Sequence, residues 1–175
     1  MNSVQAIYEQ IDSVTNLLSA TFMNYDDLQK SYPNIFQKIS NIIASDSYDI
    51  KIKHKCLLLI QSNKNLDLLT SHIESLYNSI LSYISNITDE ILNFEDISLN
   101  TFPVPIEILL DALKSLYCID NYFNLMYKAY MDKWIMICIS LLAYFITKQI
   151  PYSFPIEREI IKILNQNLKN FPSGR

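Results

Sequence analysis

The sequence predicts an all-α fold, with long heptad-patterned helices in its N-terminal half and a compact C-terminal helical bundle. Three observations carry that expectation. Apolar residues recur at alternating spacings of three and four along most of the chain, the period of one helix face. All six prolines fall between these periodic segments and none interrupts one. The 175 residues also contain a single glycine, Gly174, so the Asn-Gly and Asp-Gly turns of short β-hairpins are absent.

In chain order, the first segment runs from about Ser3 to Leu28. Val4, Ile7, Ile11, Val14, Leu18, Thr21, Tyr25 and Leu28 form a heptad seam with one polar member. Tyr32-Pro33 then breaks the chain, and Pro33 suits the first turn of a second helix with the stripe Ile35, Phe36, Ile39, Ile42 and Ile43. Residues 48–61 carry two patterns at once. Tyr48, Ile50 and Ile52 alternate with polar residues as in a strand, whereas Ile52, Cys56, Leu59 and Ile60 fit a helix. No strand candidate lies nearby to pair with them, so a helix is expected. From Leu66 to Phe94 the residues Leu66, Leu69, Ile73, Leu76, Ile80, Tyr83 and Ile87 hold the three-four alternation without a proline. One helix of about 29 residues would be about 43 Å long. Paired with the first segment, it predicts an antiparallel coiled-coil-like arm over residues 1–96.

An extended linker is expected over 97–105, because Pro103 and Pro105 at i and i+2 exclude a continuous helix. A bundle over 106–172 follows, although a single continuous domain over 1–172 is also compatible with the pattern. Ile106, Leu109, Leu110, Leu113 and Leu116 give one apolar face, and Asp120 is placed to cap the next helix, with Phe123, Met126, Tyr127 and Tyr130. The run Trp134 to Thr147 is apolar nearly all round, as expected of a helix enclosed by others. At about 21 Å it is short against a bilayer core of roughly 30 Å, so no membrane span is expected. Pro151 ends that helix, and Pro155 opens a last amphipathic one with Ile156, Ile160, Ile163, Leu164 and Leu168.

The lone glycine excludes whole classes of function. A P-loop, a GxGxxG dinucleotide turn, a GxSxG elbow and a kinase glycine loop each need several glycines for positive φ or close phosphate approach. Catalytic clusters are missing as well. His54-x-Cys56 is the one local His/Cys pair, and on a helix its side chains diverge by about 200°. His72 stands alone, no CxxC or HxxxH occurs, and Cys56, Cys118 and Cys138 are widely spaced beside apolar residues. Acid pairs such as Asp26-Asp27 and Asp89-Glu90 lie near expected helix ends, where they complement the dipole. No enzyme activity, cofactor or metal is expected.

Net charge is −4, distributed as −6 over residues 1–100 and +2 over the rest. Lys51, Lys53 and Lys55 form the densest basic stretch, a candidate basic patch that reads better as a solvated helix face. With no general basic field, nucleic acid is not an expected partner. Twenty-seven Ile against three Val, and twelve Lys against two Arg, indicate an AT-rich coding genome, such as that of a large DNA virus, a parasite or an AT-rich microbe. The first twelve residues contain no basic or strongly apolar leader, so an intracellular protein, cytoplasmic or nuclear and not secreted, is expected.

These features point to a non-enzymatic helical subunit or adaptor that binds protein partners by helix–helix packing, as a homo- or hetero-oligomer. The expected contact residues are Ile11, Leu18, Tyr25, Leu69, Ile73, Leu76, Ile80 and Tyr83 on the two heptad seams. From about Asp111 the order of a short helix, the strongly apolar KWIMICISLLAYFITK and an amphipathic helix resembles divergent viral Bcl-2-like proteins. The likeness covers about 60 residues. The Asn-Trp-Gly-Arg motif of that family is replaced by Asp132-Lys133-Trp134-Ile135, which keeps only the tryptophan, and a C-terminal membrane tail is missing. The resemblance implies an alternative function, a groove-binding regulator of apoptosis or innate signalling that captures an amphipathic helix.

Overall fold

The computed structural model describes residues 3–93, 106–123, 128–148 and 154–169. Every regular element among them is helical, and no strand occurs. The chain divides into two compact units, Met1–Tyr83 and Ile84–Arg175. The expected linker at 97–105 lies outside the described residues.

In the first unit, α1 (Ser3–Ala20) buries Ile11, Val14 and Leu18, one side of the predicted seam. The seam does not continue as one helix to Leu28, because the helix stops at Ala20 and the break at residues 21–24 is held by specific bonds. The Lys64 amide donates to the Leu18 carbonyl at 3.2 Å, and Asn65 Nδ2 donates to the Met23 carbonyl at 2.8 Å. Asn24 then accepts from the Asp27 amide at 2.9 Å and opens α2 (Tyr25–Ser31), with Asp26 and Asp27 in its first turn and Lys30 in its last.

Pro33 lies in the turn before α3 (Ile35–Ala44) and does not form its first turn. Asn34 enters the left-handed region at φ 59°, the only positive φ among the described residues. Its side chain and amide exchange hydrogen bonds with the Gln29 side chain, both at 3.3 Å. Asn tolerates this conformation better than other residues with a Cβ, so it supplies the reversal that glycine usually makes. The next helix, α4 (Ile50–Ser62), settles the ambiguous segment as helical. Asp49 caps it by accepting from the Ile52 amide at 3.0 Å, and Tyr8 Oη of α1 donates to the same carboxylate at 2.8 Å.

The segment from Leu66 begins as a 3-10 helix (Leu66–His72) and becomes α-helical only in α5 (Ile73–Leu92). Asn65 starts the tighter turn by accepting from the Asp67 amide at 3.2 Å. The principal partner of α1 is α4, and α3 packs on α4 and on the 3-10 helix, so α1 does not form the expected antiparallel pair with the 66–94 segment. Hydroxyls tie α3 to α5: buried Ser40 Oγ lies 2.7 Å from both half-buried Ser75 Oγ and buried Ser79 Oγ.

The boundary between the units falls inside α5. The second unit continues with α6 (Ile106–Phe123), α7 (Lys128–Lys148) and α8 (Phe154–Lys169). Its described packing joins α6 to α8 and α7 to α8. Leu109, Leu113 and Leu116 of α6, Cys138, Leu141 and Phe145 of α7, and Ile156, Ile160 and Ile163 of α8 are all buried. Pro155 occupies the first turn of α8, as the sequence predicts. Asp120 does not cap a helix; it lies within α6 and is buried there. Among the described residues no helix is long and apolar enough to cross a membrane.

Candidate functional site

Six of the eight residues expected to contact a partner are packed inside the fold. Ile11, Leu18, Leu69, Ile73, Leu76 and Ile80 are buried. Tyr83 is half-buried, and Tyr25 alone is well exposed, at 39%. The central residues of the two seams thus belong to the core of the first unit, while Val4, Thr21 and Tyr25 of the first seam stay exposed.

The three lysines of the candidate basic patch are placed in three different environments. Lys51 is exposed. Lys53 is buried; its ammonium donates to the Ile43 carbonyl in the last turn of α3 at 3.1 Å and lies 4.6 Å from the centre of the Tyr83 ring. Desolvation lowers its pKa, and the carbonyl and the ring compensate for part of that cost. Lys55 pairs with Asp12 of α1 at 2.7 Å. This spacing gives one unburied ammonium on Lys51, one surface ion pair on Lys55 and one buried ammonium on Lys53, where a continuous basic face would need three free ones.

The described chemistry is equally closed. Burial pushes the Cys56 and Cys138 thiols up to about 12 and raises Cys118, so none is poised as a thiolate nucleophile. His54 is half-buried, two residues before the buried Cys56 on the same helix. No group of three or more His, Cys, Asp or Glu able to hold a metal occurs among the described residues. Among the described residues Asp120 is the one strongly perturbed carboxyl: burial raises its pKa to about 6, and its Oδ1 has no hydrogen-bond partner.

Among the described residues, an open apolar surface lies on α7 and α8. On α7 the inner face carries Ile137, Cys138, Leu141 and Phe145. The opposite face carries Met136, Ile139, Ala143 and Ile146, spaced three, four and three, and all four are exposed. Met136 is 64% and Ile146 63% open to solvent. The sequence reads α7 as enclosed because it is apolar all round, but its outer stripe is bare. The neighbouring α8 adds Phe154, 77% exposed, and Ile161. Between the two helices runs a groove of about 710 Å³, walled by Leu142 and Ile146 on one side and Phe154 and Ile161 on the other. Glu157, Arg158 and Lys162 stand at its edge. Lys162 is held at 3.2 Å by the buried Glu159 carboxylate and lies 4.8 Å from the centre of the Tyr117 ring. This surface was missed in the sequence because a second apolar face on one helix is indistinguishable from core until its neighbours are known. No protein-family model, curated protein or solved structure matches the chain.

Proposed function

We propose that the chain is a non-enzymatic helical protein–protein interaction subunit or adaptor, and that its contact surface is the α7–α8 face. The observation that carries this reading is the bare stripe Met136, Ile139, Ala143 and Ile146 beside an apolar groove. The largest contiguous apolar patch on a protein surface is often an interaction site. The heptad seams support the choice of site indirectly, since six of their eight expected contact residues are already buried. Three free cysteines, two of them buried, suit the intracellular setting that the reading includes. A Bcl-2-like groove-binding regulator is the alternative, and the α7–α8 groove is the feature that favours it. The bare face on the helix that the resemblance places at the centre weighs toward the subunit reading.

Affinity capture from the native source tests the proposal, with wild-type chain compared against an Ile139→Asp/Ile146→Asp variant. The expected result is a defined set of proteins retained by the wild type and lost with the variant. Identical capture by both proteins rejects the α7–α8 face as the contact surface.

A further inference from the structure

The bare seam of α7 has a spacing that reads the same in both directions: three, four, three. An antiparallel second copy would therefore present a matching seam, with Met136 opposite Ile146 and Ile139 opposite Ala143 of the other chain. The Ile139–Ala143 pairs set large against small, which lets two helices approach and interdigitate. From Trp134 to Thr147 the chain contains no charged residue, so apposing two copies of the seam brings no like charges together along it.

The groove adds a second contact. It lies at the Ile146 end of the seam, and in the antiparallel register Met136 of the second copy falls over it. Methionine fills irregular apolar space readily because its side chain is unbranched and flexible. Five large side chains that are half to three-quarters exposed, with Ala143, offer roughly 600 Å² of apolar surface per copy, or about 1,200 Å² per pair, at the lower edge of specific interfaces.

We propose that the α7–α8 face is a two-fold homodimer interface. The α7 helices pair antiparallel about a point between Ile139 and Ala143, and Met136 of each copy seats in the α7–α8 groove of the other. This inference rests on the reading of that face as an interaction surface and commits it to a second copy of the chain. Such an interface is isologous, so it closes at two copies.

Sedimentation equilibrium of the full chain should show a monomer–dimer equilibrium with a dissociation constant on the order of micromolar. Met136→Asp and Phe154→Asp should each weaken it at least about tenfold, with unchanged far-UV circular dichroism. Register is read by cross-linking in a Cys118→Ser background. A mixture of Ile139→Cys and Ala143→Cys chains should form an oxidised dimer faster than either variant alone. A chain that stays monomeric to about 1 mM, that forms open-ended oligomers, or that cross-links fastest through one variant alone overturns the proposal. So does a monomer that Met136 and Phe154 carry onto phosphatidylserine-containing vesicles. A monomer that still captures other proteins through Ile139 and Ile146 would reject the dimer and leave the subunit reading standing. A dimer that captures none would do the reverse.

Discussion

Position 34 shows how a chain with almost no glycine reverses direction. Asn34 sits at φ 59° and is braced by Gln29 on both its amide and its side chain. Asn34→Gly should leave stability nearly unchanged, because the relief of backbone strain offsets the lost brace. Asn34→Ala should lower it by about 1–2 kcal/mol, through the left-handed penalty and the lost bonds, as read from urea unfolding midpoints. Asp120 presents the opposite case, a residue held against its preference. Its folded pKa of about 6 exceeds the ordinary 3.8, so the native state binds the extra proton between those values. Stability therefore falls as pH rises through that window and stays reduced above it. Asp120→Asn should stabilise the protein by on the order of 2–3 kcal/mol at pH 7 and by almost nothing near pH 3.5, measured by denaturation at the two pH values.

At the scale of elements, α7 carries the consequence of having two apolar faces. Leu141 is fully buried and Ile139 half exposed, although they are two residues apart in an uncharged, largely apolar run. Leu141→Ala should cost about 2–5 kcal/mol, the transfer term plus a cavity. Ile139→Asp should change unfolding free energy by no more than about 0.5 kcal/mol while removing association. Thermal or urea unfolding, paired with sedimentation, separates the two effects. The ends of α1 and α4 make a related point. Asn24, Asn63 and Asn65 lie within or beside otherwise helical patterns, and each helps to end one element or start another. Asn65 accepts from the Asp67 amide and donates to the Met23 carbonyl, while the Asn63 side chain accepts from the Asn65 amide at 3.0 Å. The sequence pattern names Asp120 as a cap and none of these asparagines. Nor does it show their bonds across 42 positions.

At the scale of the whole molecule, the chain forms two compact units whose boundary lies within α5. The core of the first is assembled from α1, α3, α4, the 3-10 helix and the opening turns of α5, all within its own residues. A fragment spanning Met1 to Asn93 should therefore unfold cooperatively with helical circular dichroism. One ending at His72 should not, because it lacks Leu76, Tyr77 and Ile80. A non-cooperative melt of the longer fragment would show that the first unit depends on the rest of the chain.

The sequence alone determined that this protein is helical and where most helices lie, because a 3.6-residue period and the placement of prolines are local properties. It also marked the apolar residues of the seams, and it favoured helix over strand for 48–61 through the absence of a pairing partner. The tertiary structure decided which apolar faces are covered. Ile11 and Ile139 belong to equally regular stripes, yet one is buried against neighbouring helices and the other faces solvent. Burial depends on what packs opposite a face, and for most of these residues the opposite side chain is dozens of positions away. Lys53 follows the same rule: its spacing beside Lys51 and Lys55 suggests a basic surface, but the end of α3 and the Tyr83 ring draw it inside.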